Sequence, residues 1–135
     1  MFAGTGALGI EALSRGADYC MFVEEDAAAR GTIRENVESL GLTGITKIFR
    51  RDATGLGPAG KYAGFSVLFA DPPYGKALAG RALASAAAGG WLSPGAVVVV
   101  EERAGVVVEL PPAFRQWDQR TWGDTQAVFA RFTTG

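Results

Sequence analysis

Short apolar runs alternate with amphipathic helical segments along the first two thirds of the chain. Runs rich in β-branched and aromatic residues predict buried strands at 19–23, 45–50, 65–70 and 96–101. Apolar positions at helical spacing, closed by glycine, predict helices at 7–15, between an Asp26 N-cap and Gly41, and at 78–88. Strands that alternate with helices in this way indicate a parallel sheet with helices on both faces.

The two ends of the chain depart from this alternation. Met1 and Phe2 look like the last residues of a strand whose earlier part is missing. Residues 114–122 and 125–132 predict two strands joined by a glycine-containing turn. We therefore expect one α/β domain over residues 1–135, closed by a C-terminal antiparallel hairpin, with its first strand mostly missing.

Composition limits the chemistry that this chain is able to perform. It contains no histidine, which excludes His-based triads and His-ligated metal sites, and we expect no metal. The chain has one cysteine, Cys20, so it forms no internal disulfide, which is typical of a cytoplasmic protein. No apolar run is long enough to span a bilayer, so we expect no binding to a membrane. The formal net charge of -1 argues weakly against tight, independent binding to nucleic acid, yet it does not exclude a nucleic-acid enzyme.

The segment GTGALG, residues 4–9, matches the G-x-G-x-x-G pattern of dinucleotide-binding turns. Small residues there let the backbone approach a ligand at the N-terminus of a predicted helix. Glu24 follows at about the spacing of a ribose-binding carboxylate, and Asp52 follows the next predicted strand, as a partner for an adenine amino group or as a solvated loop acid. This pattern alone leaves three interpretations open: a nicotinamide enzyme, an S-adenosylmethionine enzyme, or a tight turn without a ligand.

A second motif, Asp71-Pro72-Pro73-Tyr74, directly follows the predicted strand at 65–70. Two prolines stiffen the backbone and lack N–H donors, so a carbonyl stays available. The Asp71 carboxylate and a proline carbonyl are both suited to accept hydrogen bonds from an exocyclic amino group, and Tyr74 offers a face on which a base stacks. We interpret the tetrapeptide as a holder for a planar aminated base, which a nicotinamide enzyme does not need. The alternative is a strand end followed by a turn.

The segments FAGTGALGIEALSRGA, FVEEDAAARGTIRENVESLG, DPPYGKAL and WGDTQAVFARF together resemble the RsmD family. These are bacterial 16S rRNA guanine-N2 methyltransferases that use S-adenosyl-L-methionine and release S-adenosyl-L-homocysteine. The resemblance covers essentially the whole chain. It implies the Rossmann-like class I methyltransferase sheet, whose last strand runs antiparallel, and a monomer that acts on 16S rRNA within a small-subunit ribosomal particle.

Carried over by position, the resemblance assigns roles to individual residues. The implied cofactor-binding residues are Phe2, Ala3, Gly4, Thr5, Gly6, Glu24, Asp52, Ala53 and Asp71. The implied catalytic residues, which would hold the target guanine, are Asp71, Pro72, Pro73 and Tyr74.

The start of the chain departs from the family pattern. Members of the family carry more chain before the glycine turn, including an acidic residue of the first strand that helps to bind the cofactor. We therefore expect an N-terminally truncated domain that is weakly active or inactive. Two further alternatives stay open: a DNA adenine-N6 or cytosine-N4 methyltransferase, which shares the chemistry of the DPPY motif, and a non-catalytic nucleoside-binding fragment.

Overall fold

The computed structural model describes residues 1–4, 6–73 and 78–133. The chain divides into two compact units, Met1–Ala53 and Thr54–Gly135. In chain order the helices and strands are α1 Ala7–Ser14, β1 Cys20–Val23, α2 Ala27–Ser39, β2 Thr46–Phe49, β3 Phe65–Ala70, α3 Leu78–Ala88, β4 Leu92–Arg103, β5 Phe114–Trp122 and β6 Thr125–Phe132. Apart from β4, these bounds fall on or beside the predicted ones. No helix among the described residues combines the length and the apolar character needed to cross a membrane.

In the first unit, β1 and β2 form a parallel two-stranded sheet and are connected through α2. Ile33 and Val37 of α2 pack against Phe22 of β1, and these three side chains form a buried cluster in the unit. The helix begins where the sequence predicts because the Asp26 side chain accepts a hydrogen bond from the Ala29 N–H at 2.8 Å. Because β1 and β2 run parallel, both strands end at the same edge of the sheet. The predicted cofactor residues Glu24, Asp52 and Ala53 follow them there.

In the second unit, four strands form a sheet in the order β3-β4-β6-β5. β3 and β4 run parallel and are connected through α3, whereas β6 runs antiparallel to β4 and to β5. The alanine-rich face of α3 buries Ala79, Ala82, Leu83 and Ala86, so small side chains let the helix lie close to its neighbours. The predicted closing hairpin is confirmed.

The predicted strand end at Met1 and Phe2 is wrong. No strand is assigned to residues 1–4, and Phe2 has a φ of 52°, outside the extended range of a strand. The Ala3 N–H donates a hydrogen bond to the Val23 carbonyl of β1 at 3.4 Å. A strand requires successive residues in extended conformation, and the φ of Phe2 interrupts that run.

β4 is longer than the sequence predicts. The predicted strand begins at Ala96, whereas β4 begins at Leu92 and continues through an irregularity in its pairing with β3: Phe65 pairs with Leu92, and Val67 pairs with Val97. Gly95 has a φ of 78°, a conformation that suits glycine in such an irregularity. At its other end β4 continues through Arg103 because β6 pairs with it there.

Candidate functional site

The glycine turn before α1 leaves one side of its backbone open. The Gly6 N–H donates to the Ala3 carbonyl at 2.8 Å and closes the turn. Gly4 and Gly6 have φ values of 58° and 80°, a region that residues with a Cβ enter only at a cost. A Cβ built on Gly4 would meet no atom within 4 Å. There is thus room for a ligand to lie directly against the backbone at Gly4.

The third glycine of the pattern serves packing. A Cβ on Gly9 would lie 2.4 Å from Cε1 of Phe22 and 2.7 Å from Sγ of Cys20. The helix α1 therefore approaches β1 this closely only because position 9 has no side chain. Within the same pattern, Gly4 leaves space beside the backbone, whereas Gly9 allows the helix to pack closely on β1.

Glu24 lies directly after β1, and backbone N–H groups hold its carboxylate. Oε1 accepts a hydrogen bond from the Gly4 N–H at 2.9 Å. Oε2 accepts from the N–H groups of Glu25 at 3.0 Å and Asp26 at 3.1 Å. A carboxylate offers about four acceptor positions, so these bonds fix its orientation and leave capacity for a ligand hydroxyl. The structure brings together Gly4 and Glu24, which are 20 positions apart in the chain.

Asp52 and Ala53 follow β2 at the same sheet edge as Glu24. The parallel register of β1 and β2 places all three residues beyond the carboxyl ends of neighbouring strands. Asp52 is exposed, and Ala53 is buried at the start of a short 3-10 turn. An exposed carboxylate beside a buried alanine suits the polar edge and the apolar face of a planar base.

The remaining predicted cofactor residues lie around the glycine turn. Phe2 is half-buried and is the one non-glycine residue with positive φ among those described. Ala3 is half-buried and contributes the carbonyl that closes the turn. Thr5 lies outside the described residues.

The Asp-Pro-Pro motif follows β3 in the second unit. Asp71 comes directly after Ala70, which pairs in parallel register with Val100 of β4. Asp71 and Pro73 are exposed, whereas Pro72 is buried. The motif therefore presents a carboxylate at the carboxyl end of β3, and a buried proline holds the backbone beside it. Tyr74 lies outside the described residues.

Two glutamates towards the end of β4, Glu101 and Glu102, interact electrostatically with Asp71. Although Asp71 as a residue is exposed, its carboxyl is partly desolvated, which raises its pKa, and the neighbouring Glu102 charge raises this pKa further. Burial also raises the pKa of Glu101, and the negative charge of Asp71 adds to that shift. Glu101 belongs to no motif in the sequence. The sequence feature that points to Glu101 is its position: it follows a run of four valines in the next predicted strand after the Asp-Pro-Pro motif.

The chain matches the family model described as "Conserved hypothetical protein 95" over residues 1–131. It belongs to this family, the RsmD family. The observed order of strands, with its antiparallel β6, is that of a class I methyltransferase sheet.

Several relatives of this RsmD-family chain are known. YlbH of Bacillus subtilis (strain 168), to which an rRNA methyltransferase function is ascribed, is 45% identical over 76 residues, 55% of this chain and 41% of that protein. The ribosomal RNA small subunit methyltransferase D of Haemophilus influenzae is 30% identical over 124 residues, 90% of this chain and 64% of that protein. A crystal structure of HI0767 from Haemophilus influenzae, to which a methylase function is ascribed, superimposes on this chain with a TM-score of 0.86. The two sequences are 27% identical, and the superposition covers 98% of this chain and 83% of that one. The chain thus spans less than two thirds of the length of YlbH and of the Haemophilus influenzae methyltransferase D.

Proposed function

We propose that this RsmD-family chain transfers a methyl group from S-adenosyl-L-methionine to the exocyclic N2 amino group of a guanine in 16S rRNA, within a small-subunit particle. The observation that carries the proposal is the Asp71-Pro72-Pro73 segment at the carboxyl end of a parallel strand. The names of the relatives support rRNA as the substrate class. The choice of guanine N2 rests on the family resemblance.

The first unit supplies the proposed cofactor residues. Glu24 would accept hydrogen bonds from the ribose hydroxyls, and Asp52 with Ala53 would meet the adenine edge. The methionine part would lie against the turn at Phe2, Ala3, Gly4, Thr5 and Gly6. The N-terminus of α1 supports this placement, because no side chain caps it and its first turn has no acidic residue, so its N–H groups favour a carboxylate. S-adenosyl-L-methionine supplies a methyl group activated by the positive sulfonium.

The second unit supplies the proposed base-holding residues. The Asp71 carboxylate and the Pro72 carbonyl would accept hydrogen bonds from the amino group and orient its lone pair. Tyr74 would stack on the base, which has to be unpaired or flipped out of its helix. The negative charge of Asp71 would stabilise the positive charge that develops on the nitrogen. Because its pKa is raised, Asp71 would also accept the departing proton more readily than an ordinary aspartate.

The catalytic part of the proposal is tested with Asp71→Ala. We expect this variant to lose methyl transfer from labelled cofactor to undermethylated small-subunit particles while it binds S-adenosyl-L-homocysteine nearly as the unchanged protein does. Asp18→Ala, which removes an exposed carboxylate of the first unit, is the matched control and should retain transfer. Unchanged turnover in Asp71→Ala would remove this residue from the mechanism.

The cofactor part is tested by calorimetry. Replacing Glu24 by Gln should weaken binding of S-adenosyl-L-homocysteine by about 10- to 100-fold, the range for losing a charged hydrogen-bond partner. Glu25→Gln, the exposed neighbour, is the control and should bind unchanged. Heat on titration with NAD, and none with S-adenosyl-L-homocysteine, would contradict the proposal. Transfer to DNA in place of rRNA would support a DNA adenine-N6 or cytosine-N4 methyltransferase.

A further inference from the structure

A row of side chains crosses the sheet of the second unit from the Asp71 edge to the closing hairpin. Glu101 of β4 pairs with Ala127 of β6, and Ala127 pairs with Arg120 of β5. Asp71 lies one residue beyond β3, beside Glu101 in the parallel register. Directly opposed residues of neighbouring strands point to the same face. Glu101, Ala127 and Arg120 therefore share one face of the sheet, and Asp71 follows β3 at the edge where Glu101 lies.

Trp122 lies on this same face, two residues beyond Arg120 at the end of β5. It pairs with Thr125 of β6, which pairs with Arg103 of β4. Because β4 and β6 separate β3 from β5, and neighbouring strands lie about 4.8 Å apart, the two outer strands are roughly 14 Å apart. The hairpin end thus lies at the same edge as Asp71, at a distance that a neighbouring part of a nucleic-acid strand reaches.

Trp122 and Arg120 have the exposure and chemistry of a single-stranded nucleic-acid contact. Trp122 is 52% exposed, so its indole is accessible for stacking on a base. The Arg120 side chain is 72% exposed, and its Nε lies 3.4 Å from Asp118 Oδ2. An exposed pair of this kind is weak, and the guanidinium has five N–H donors, so it is able to contact a phosphate as well. Ala127, between Glu101 and Arg120, is buried, with 3% of its surface exposed, so the accessible groups lie at the two ends of the row.

We propose that Trp122 and Arg120 bind a nucleotide that flanks the target base, with the indole stacked on its base and the guanidinium on its phosphate. The site would add a second RNA contact at the closing hairpin, across β4 and β6 from the Asp71 edge. This inference rests on the proposed function, because it takes the Asp71 edge as the place of the target base. It adds the contacts that select a single-stranded RNA segment around that base.

The same strand contains matched control residues. Trp117 is 53% exposed, nearly the same as Trp122, but its ring lies 5.5 Å from the ring of Phe129 and before a shift in the strand register. At about 3.3 Å per residue it lies roughly 16 Å from Trp122 along β5. Arg115 pairs with Arg131 at that far end. Removal of Trp117 or Arg115 therefore changes the same residue types on the same strand, away from the proposed site.

The test measures methyl transfer to undermethylated small-subunit particles and to rRNA extracted from them and, with S-adenosyl-L-homocysteine present, affinity for the same rRNA. We expect Trp122→Ala to weaken RNA affinity and raise KM by about 5- to 150-fold, the effect of losing one base–aromatic stack, with kcat retained at saturating RNA. Trp122→Phe should keep most of the affinity, and Trp117→Ala all of it. Arg120→Ala should lower the slope of log affinity against log salt by about 1, and Arg115→Ala should not.

Several outcomes overturn the inference and leave the proposed function intact. One is an equal effect of Trp117→Ala and Trp122→Ala while the unchanged protein transfers methyl groups normally. Another is an effect of Trp122→Ala on assembled particles alone, which would show that the hairpin contacts a ribosomal protein. If the unchanged protein neither binds nor methylates any rRNA, both proposals fail. Thermal unfolding and S-adenosyl-L-homocysteine affinity of each variant report its fold, and Arg120→Ala tests the site even if Trp122→Ala unfolds.

Discussion

Gly9 and Gly31 are both glycines inside helices of the first unit, yet their surroundings differ. A Cβ on Gly9 in α1 would collide with the Phe22 ring and the Cys20 sulfur, whereas a Cβ on Gly31 in α2 would meet no atom within 4 Å. Intrinsic helix propensity disfavours glycine equally at both positions. The packing of α1 on β1 therefore explains Gly9, and nothing in the structure requires Gly31.

We expect opposite effects when each of these glycines is replaced by alanine. Gly9→Ala should destabilise the fold by about 1–3 kcal/mol, the usual cost of overpacking a core. Gly31→Ala should stabilise it by about 0.5–1 kcal/mol, because alanine loses less conformational entropy in a helix. Urea unfolding of both variants beside the unchanged protein measures the two changes. Equal effects would mean that the helix–strand contact at Gly9 relaxes freely.

At the scale of elements, one buried side chain joins the closing hairpin to the segment after β4. Gln126 of β6 is 2% exposed. Its Nε2 donates to the carbonyls of Arg103 at 2.8 Å and Val106 at 2.5 Å, and its Oε1 accepts from Gln119 Nε2 of β5 at 2.7 Å. A buried amide with all these partners holds three segments in one arrangement.

Replacing Gln126 by leucine should destabilise the protein by about 1–3 kcal/mol, because a side chain of similar size removes the three hydrogen bonds of the amide. Amide hydrogen exchange at residues 104–108 should become faster, since this segment loses its bond to β6. Gln116→Leu is the control, because Gln116 lies exposed on β5. Unchanged exchange in the Gln126 variant would show that other contacts hold the segment.

The stability of the whole molecule should respond to the carboxylates at the edge of the second sheet. Burial and the Asp71 charge raise the pKa of Glu101 above its ordinary value of 4.5. In the unfolded chain the Glu101 carboxyl takes the ordinary pKa. At pH values between the ordinary and the raised pKa, the folded state therefore binds more protons than the unfolded state. The free energy of unfolding therefore falls as pH rises through this interval, and the full loss is present above the raised pKa.

We expect Glu101→Gln to remove part of this loss. Its free energy of unfolding, relative to that of the unchanged protein, should rise as pH increases from about 4 towards 7, the range above the ordinary carboxyl pKa. Glu35→Gln makes the same change of net charge on the exposed side of α2 and separates a local effect from a general one. Denaturation series at several pH values give the result, and parallel curves for both variants would contradict it.

Much of the fold was predictable because its signals are local. The β3, α3, β5 and β6 ranges coincide with the predicted ones, since apolar runs, glycine stops and prolines lie next to the residues they affect. The failure at β4 comes from pairing between distant segments. β4 extends through Pro94 and Gly95 because β3 pairs with it on both sides of the register shift. No strand forms at Met1 and Phe2 because Phe2 leaves the extended conformation.

By itself, the sequence determined the kinds and order of the elements and the two motifs at strand ends, because hydrophobic period, caps and stiff proline pairs act within a few residues. The tertiary structure alone decided what depends on contacts between distant residues. Packing against Phe22 gives Gly9 a role different from that of Gly4. Strand register, set by long-range pairing, places Glu101 at the edge where Asp71 follows β3, and it places Trp122 on the same face of the sheet as Glu101.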